Sequence, residues 1–480
     1  MKLSKLLKNI EYKGQHNDQE ISSITYDSRK VKNNCLFIAV SGENYDGHDY
    51  INEAINNGAS AILANGRAPI SNRVPIMQVQ NPRKVMSKIA ANFYDNPSKK
   101  LNVIGITGTN GKTTTTQIID HIIRFSMRPS SSLGTLGFNT PTGMISIGFT
   151  TPESVELHQI LKTIKDGGGK YVPMEISSHA IELYRTHNID VNIAIFTNLG
   201  LDHLDFHKTQ KKYFNSKLKL FTKLNKKSIA ILNNDDIRTK DIIKKIKCNH
   251  FTFGFKENSD LQIIDYSLNR NYSKVKILFC KKKYSFKTKL IGKFNLLNLS
   301  ASILCAIKLN IPIEIIIESI KHFKNVPGRL EKYLHNNNTI IIDYAHSPDA
   351  FSNIYENVYQ LKKNSEKIIS IFGCGGDRDK TKRSKMAEIS EKYSDYIYIT
   401  NDNPRNENED LIINDICLGF KKSSYQIIKN RKHAIEYALS THNNSIILIL
   451  GKGIEKYQII KNNKIPHSDI DIVRKIIDEN

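Results

Sequence analysis

The 480-residue sequence has no tryptophan, only 13 prolines and only six cysteines. It also lacks any apolar run long enough to cross a bilayer; the longest are short stretches such as Ile446 to Leu450. The opening residues, Met-Lys-Leu-Ser-Lys-Leu-Leu-Lys-Asn, turn polar before the apolar centre of a signal peptide could form, so no membrane insertion is expected. The cysteines (35, 248, 280, 305, 374 and 417) stand apart, with no Cys-x-x-Cys pair. That distribution argues against a disulfide framework and for reduced thiols, which favours a cytoplasmic address.

Negative charge is the scarcer sign: 47 acidic side chains face 70 lysines and arginines, a formal net charge of +23. Such an excess invites a nucleic-acid reading. The lysines, however, are scattered in short pieces such as Lys281 to Lys283, and no basic cluster is interleaved with aromatics as a stacking platform. Compositional drift and a polyanionic small-molecule substrate account for the charge equally well, and no nucleic-acid partner is expected. A chain of this length with 39% hydrophobic residues exceeds one ordinary core and predicts two to three domains.

Residues 1–95 hold short strand-like runs at Cys35 to Val40, Ala59 to Leu63 and Val74 to Val79, then a helical stretch from Val85 to Tyr94. Asn96-Pro97-Ser98-Lys99-Lys100 reads as a linker. Strands and helices alternate through 96–330 and again through 331–480, with Asn325-Val326-Pro327-Gly328-Arg329 as a hinge between them. The fold class is therefore α/β in three domains: an N-terminal mixed α/β domain, a central phosphate-loop α/β domain and a C-terminal Rossmann-like α/β domain.

The most informative stretch is Ile104 to Thr114, where an apolar strand runs through Gly108-Thr109-Asn110-Gly111-Lys112-Thr113-Thr114 into a helix-like segment. Glycines let backbone N–H groups close around phosphates, Lys112 adds a point charge, and the Thr113 hydroxyl can sit on a phosphate-bound Mg²⁺. The general pattern would place glycine at 106, which is Ile. ATP or GTP is the expected ligand class.

Other apolar strands also run straight into polar clusters. Tyr171 to Met174 leads to Glu175-Ile176-Ser177-Ser178-His179, and Val191 to Phe196 leads to Thr197-Asn198 and then Asp202-His203-Leu204-Asp205-Phe206-His207. Ile229 to Leu232 leads to Asn233-Asn234-Asp235-Asp236, and Thr339 to Ile342 to Asp343-Tyr344-Ala345-His346. Ile368 to Phe372 runs into Gly373-Cys374-Gly375-Gly376-Asp377-Arg378, Tyr396 to Thr400 into Asp402-Asn403-Pro404-Arg405, and Ile446 to Leu450 into Gly451-Lys452-Gly453. In a parallel sheet these clusters converge on one edge, the edge at which open α/β sheets bind ligands, and two such edges would face across a cleft. Ser347 and Pro348 suit the start of a helix after Asp343.

Glu175 at the end of its strand can hold Mg²⁺ beside a nucleotide, although Pro173 is an odd residue for a central strand. His203 and His207 are four apart, but with no His-Glu-x-x-His or Cys–His set a magnesium or phosphate role suits His203 better than zinc. The glycines at 373, 375 and 376 fail the dinucleotide fingerprint because residue 378 is Arg; the turn instead delivers Arg378 and Arg383 as anion-binding groups. Asp402 and Arg405 on a stiff turn suit a zwitterion, with Arg405 on a carboxylate and Asp402 on an ammonium; a solvated pair is the competing reading.

Taken together and in order, these clusters resemble the Mur ligases, ATP-dependent enzymes that extend the cell-wall peptide precursor. The phosphate loop, Thr150-Thr151-Pro152, Met174 to His179, Thr197-Asn198-Leu199 with Asp202 to Asp205, Gly292-Lys293-Phe294-Asn295 with Asn298, Pro327-Gly328-Arg329, Asp343 to His346 and Gly451 to Gly453 carry the resemblance over residues 22 to 460.

The resemblance implies Mg²⁺ on Thr113, Glu175, His203 and a carbamylated Lys217. It implies ATP on Gly108 to Thr114, Asn298, Arg329 and Asp343, with Lys112, Glu175, His203 and Lys217 catalytic. It also implies a UDP-linked substrate on Tyr26, Ser28, Glu43, Asn44, Tyr45, Thr150, Thr151, Ser177 and Arg185. Within the family, Asp402 to Arg405 resembles the signature of members adding meso-diaminopimelate, which implies Arg378, Asp402, Asn403, Pro404, Arg405, Gly451 and Glu455 as the amino-acid site. A guanidinium left without its carboxylate would reject lysine.

The chain departs from the family at Phe149, where relatives can carry Asn, at Leu183, where some have Gln, and at Ile454, where His is common. The partners implied are small molecules: ATP, a UDP-N-acetylmuramoyl dipeptide and meso-diaminopimelate, acting on a monomer. The alternatives are a lysine-adding relative, a folylpolyglutamate synthase-like ligase and, in another class, a basic nucleic-acid-binding NTPase or nucleotide switch.

Overall fold

A computed structural model describes all residues except 43, 44, 68–72, 141, 142, 422–424, 462 and 480. Its described strands form a four-stranded, an eleven-stranded and a six-stranded sheet, plus a small two-stranded one. The first contains Ser23–Thr25, Cys35–Ile38, Ala59–Ala64 and Ile76–Gln78, all parallel and in chain order. Alternate residues sort to opposite faces. Leu36, Ile38, Leu63 and Met77 pack on Met86 and Ile89 of helix Pro82–Phe93, while Cys35, Phe37 and Ile62 pack on Ile51 and Ala54 of helix Ile51–Asn56.

The central sheet has a parallel core in the order Asn249–Gly254, Ile229–Asn233, Ile193–Phe196, Asn102–Thr107, Tyr171–Glu175. Ile104, Ile106, Ile193 and Ile195 face helices Lys112–Phe125 and Lys293–Lys308. Val103, Val172, Met174 and Phe196 face helices Ser154–Asp166 and Gln210–Thr222. The strand before the phosphate loop sits where the chain changes direction across the sheet, with the next two parallel strands on its two sides; such a switch point opens a crevice at the strand ends.

Sequence patterning gave no hint of the antiparallel extension Leu261–Leu268, Ser273–Phe279 and Lys282–Thr288, whose solvent face is largely lysine. Pro173 fits its strand for a geometric reason. It shares parity with Tyr171, whose N–H and C=O pair with Pro129 and Ser131, so its missing donor falls on the side where only the two-residue strand Leu133–Gly134 pairs.

The C-terminal sheet runs Glu331–His335, Asn338–Asp343, Ser445–Leu450, Lys367–Phe372, Tyr396–Ile399, Tyr425–Ile427, parallel except for the first strand. Its faces are covered by helices Pro348–Leu361 and Thr381–Tyr393 on one side and Arg431–Thr441 and Asp469–Asp478 on the other. Ser347 caps its helix by accepting the Ala350 N–H at 3.4 Å, with Pro348 in the first turn.

Candidate active site

The ends of the parallel strands of the central and C-terminal sheets open on a cleft of about 1360 Å³, whose far wall includes Ser41, Tyr45 and Arg83 of the N-terminal unit. The phosphate loop lies at its floor. Gly111 has φ +85°, and a Cβ there would fall 2.2 Å from Asn298 Oδ1, so the loop needs glycine both for its backbone and for the close approach of the helix behind it. Asn198 braces the loop by accepting the Asn110 N–H at 3.0 Å and donating to the Asn110 carbonyl at 3.1 Å.

The Lys112 ammonium turns back on the loop, donating to the carbonyls of Gly108 at 3.0 Å and Thr109 at 2.8 Å. Lys217, only 1% exposed, donates to the same Gly108 carbonyl at 2.9 Å and lies 4.3 Å from the Tyr213 ring centre. Burial, and then the charge of Lys112, hold the Lys217 amine well below the usual lysine range.

Glu175 gathers the hydroxyl groups around it. Thr113 Oγ1 donates to it at 3.0 Å, the Thr135 N–H at 2.8 Å and Thr135 Oγ1 at 3.2 Å. Thr135 was missed in the sequence because a lone threonine in a loop carries no signal. Arg329 reaches across from the hinge to donate to Thr113 Oγ1 at 3.2 Å, its guanidinium 4.6 Å from the Tyr344 ring centre. Asp343 is buried, and its two oxygens accept the Leu330 and Ala345 N–H groups at 2.8 and 2.7 Å.

His203, with φ +55° ahead of the turn Leu204–His207, lies 3.4 Å from the Asp202 carboxylate, which also faces His346 at 3.8 Å from the C-terminal sheet. Burial pushes His203 well down, keeping the imidazole neutral and able to ligate. His207 is aimed elsewhere, 2.9 Å from Ser178 Oγ, and no group of three or more His, Cys, Asp or Glu among the described residues could hold a metal ion.

At the N-terminal end of the cleft, Arg185 donates to Glu153 Oε1 at 2.9 Å and to the Thr151 carbonyl at 3.0 Å, while Arg83 donates to the same Glu153 oxygen at 2.8 Å. Arg83 and Glu153 were not singled out in the sequence, since nothing in a helix-start Arg announces a partner 70 residues away. Thr150, Thr151, Ser177 and Tyr45 line this region; Glu43 and Asn44 lie outside the described residues. Tyr26 and Ser28 lie away from the cleft lining. Tyr26 donates to Glu156 at 3.1 Å and packs on the N-terminal core, while the Ser28 carbonyl accepts from Asn57.

The C-terminal sheet also redistributes the expected residues. Arg378 lines the cleft, but Arg383 does not: it is fully buried, paired with Glu407 and Asp415, which corrects its expected anion-binding role. Asn403 ties the Asp402-Asn403-Pro404-Arg405 turn to the next loop, accepting Lys452 Nζ at 3.1 Å and donating to Glu455 at 2.9 Å, with Lys452 and Glu455 themselves paired at 2.8 Å. Gly451 is packed against Asp402, where a Cβ would meet its carboxylate at 2.8 Å. Arg405 donates to the Gly376 carbonyl at 2.8 Å. Burial and the neighbouring Arg378 lower its affinity for its proton, so the pair of guanidiniums favours an added anion.

The turn from Asp402 to Arg405 and the Gly451 to Glu455 loop thus form a knot set back from the main cleft lining. The cluster Asn233 to Asp236 serves the scaffold instead, Asn233 donating to the Thr197 carbonyl and Asp236 accepting the Leu199 N–H.

Comparison with known proteins follows the same division. Three family models match: "Mur ligase family, catalytic domain" over residues 20–94, "Mur ligase middle domain" over 106–306 and "Mur ligase, glutamate ligase domain" over 328–453. The UDP-N-acetylmuramoyl-L-alanyl-D-glutamate–2,6-diaminopimelate ligase of Aquifex aeolicus is 41% identical over 96% of this chain and 94% of its own length. A solved structure of an enzyme of that same name superposes with a TM-score of 0.70 at 26% identity, covering 100% of this chain and 99% of the other. The MurF ligase of Thermotoga maritima, solved with ADP, shares the fold at 20% identity, with a TM-score of 0.67 over 95% of this chain and 97% of its own.

Proposed function

This chain belongs to the Mur ligase family, and from that premise we propose that it joins meso-diaminopimelate to the γ-carboxylate of D-glutamate in UDP-N-acetylmuramoyl-L-alanyl-D-glutamate, with ATP converted to ADP and phosphate. The observation that carries this reading is the match to that enzyme over the whole chain, with the phosphate loop, Glu175, Arg185 and Arg329 lining a single cleft.

ATP phosphates belong on the loop amides of Gly108 to Thr114. Lys112, now turned onto loop carbonyls, is placed to swing to the transferring phosphoryl group and stabilise its charge. The acceptor carboxylate attacks the γ-phosphorus to give an acyl phosphate, and the amine of diaminopimelate then displaces phosphate from the acyl carbon. Asn298, Arg329 and Asp343 are assigned to the nucleotide, and Thr150, Thr151, Ser177 and Arg185 to the acceptor.

The donor chemistry fits Mg²⁺. The Thr113 hydroxyl and the Glu175 carboxylate meet at 3.0 Å, a neutral His203 lies in the same cleft, and the few protein ligands leave room for water and phosphate oxygens, as this ion prefers. Bound there, the ion would neutralise phosphate charge. Lys217 is the fourth assigned ligand: a neutral, buried amine is the form that takes up CO₂, and the resulting carbamate offers oxygen in place of nitrogen. Arg405 and Arg378 are assigned to the distal carboxylate of diaminopimelate and Asp402 to its ammonium, with Asn403, Pro404, Gly451 and Glu455 shaping that site.

No helix among the described residues is long and apolar enough to cross a membrane, and the six cysteines are free. We assign the chain to the cytoplasm as a monomer drawing on small-molecule substrates. The test is ADP release, expected only when UDP-muramoyl dipeptide and diaminopimelate are both present. Equal turnover with ATP alone would make the chain a plain ATPase, and equal use of lysine would make it a lysine-adding relative.

A further inference from the structure

We infer that Phe149 is a specificity residue that covers the small apolar part of the acceptor while Arg185 holds its free carboxylate, an inference that rests on the acceptor assignment above. Phe149 lines the cleft yet is 61% exposed, in a wall whose other members are mostly polar. Isolated exposed aromatics are common on protein surfaces. This one differs because it is built into a charged recess: the Arg185 guanidinium carbon lies 5.7 Å from the ring centre, and Arg185 is fixed by Glu153 and the Thr151 carbonyl.

Two guanidiniums, Arg83 and Arg185, converge on Glu153, with Glu156 close behind it, and of the two Arg185 stands beside the ring. The recess also lies near the assigned chemistry, since Thr150, next in sequence, is 3.1 Å from Thr135 Oγ1, which donates to Glu175 at 3.2 Å.

A cation beside a bare aromatic face recognises a carboxylate that stands next to small alkyl groups. The lactoyl-L-alanyl-D-glutamyl stretch of the acceptor has that character, with a methyl on each of its first two units and a second carboxylate that is not activated. ATP and diaminopimelate do not: one has no alkyl side group, and the other is charged at both ends. Covering the ring with methyl groups removes apolar surface from water, whereas an Asn at this position would contribute only hydrogen bonding.

The test is steady-state kinetics on Phe149→Ala and Phe149→Tyr with the full-length protein, using the UDP-linked dipeptide and an analogue carrying glycine in place of L-alanine. Phe149→Ala is expected to raise KM for the natural acceptor roughly tenfold, leaving kcat and KM for ATP within about twofold, and to abolish the preference for alanine over glycine. Phe149→Tyr, which keeps the ring, should restore both. Unchanged acceptor KM and unchanged alanine preference in Phe149→Ala would overturn the inference, as would equal losses for ATP and acceptor. A parent protein that does not use the dipeptide at all refutes the acceptor assignment instead, so the two failures are distinguishable.

Discussion

Lys112 and Lys217 donate to one and the same acceptor, the carbonyl oxygen of Gly108, at 3.0 and 2.9 Å. Lys217 is buried and Lys112 partly so, and two ammonium groups on one oxygen repel each other. Burial lowers the affinity of each for its proton, and the charge of Lys112 lowers that of Lys217 further. Burial is the larger cause for Lys217, and the phosphate-loop lysine adds to it from more than a hundred positions away.

Lys217→Ala should cut ligase activity by several hundredfold, and added acetate or formate should restore part of it by supplying the missing carboxylate oxygens. Carbon-13 NMR of the parent in labelled bicarbonate should show one carbamate resonance that is absent from the variant. Full activity in Lys217→Ala would remove Lys217 from the chemistry.

Arg405→Ala should lose on the order of 2–4 kcal/mol, or roughly 30- to 1000-fold, in kcat/KM for diaminopimelate, with KM for ATP unchanged. Lysine should be a poor substrate of the parent and relatively less disfavoured in the variant, because the uncompensated guanidinium is gone. Asp402→Asn should also weaken use of the amino acid. A parent that accepts lysine and diaminopimelate equally would reduce this turn to a structural knot.

Arg270, in the turn before strand Ser273–Phe279, forks onto Glu366 of the C-terminal unit, with Nη1 to Oε1 at 2.6 Å, and donates through Nε to the Leu361 carbonyl at 2.9 Å. Glu366 is buried. Arg270→Ala should release the C-terminal unit, enlarging the radius of gyration in solution scattering and costing about 1–2 kcal/mol in kcat/KM for the amino acid. If scattering and kinetics both match the parent, the pair does not brace the two units against each other.

Acid should loosen the C-terminal unit through Glu407. Its hydrogen bonds from the buried Arg383 hold it at about 2, against an ordinary value of 4.5. Because the folded value is depressed, the stability this group contributes is complete above about pH 4.5 and drains away as pH falls toward 2. Glu407→Gln should melt several degrees lower at pH 7 and show a shallower loss of melting temperature across that acid window. An acid slope identical to the parent's would show that other carboxylates dominate.

The sequence by itself determined the strands that end in chemistry. Apolar runs such as Ile446 to Leu450 are buried on both faces and therefore read as strands, and glycine, Asp, Asn and His at their ends mark the ligand edge because parallel strands all point one way. It also carried the order of motifs that identifies the family.

Only the tertiary structure decided which of two similar residues does what. Arg378 and Arg383 are five apart, yet one lines the cleft and the other is consumed by Glu407 and Asp415, because helix Thr381–Tyr393 turns Arg383 inward. Lys217 is one of many lysines until folding buries it and lowers its hold on its proton. Arg83, Thr135 and Arg270 gain roles from partners 40 to 96 residues distant, and pairing at that separation depends on how sheets pack, which local patterning does not encode.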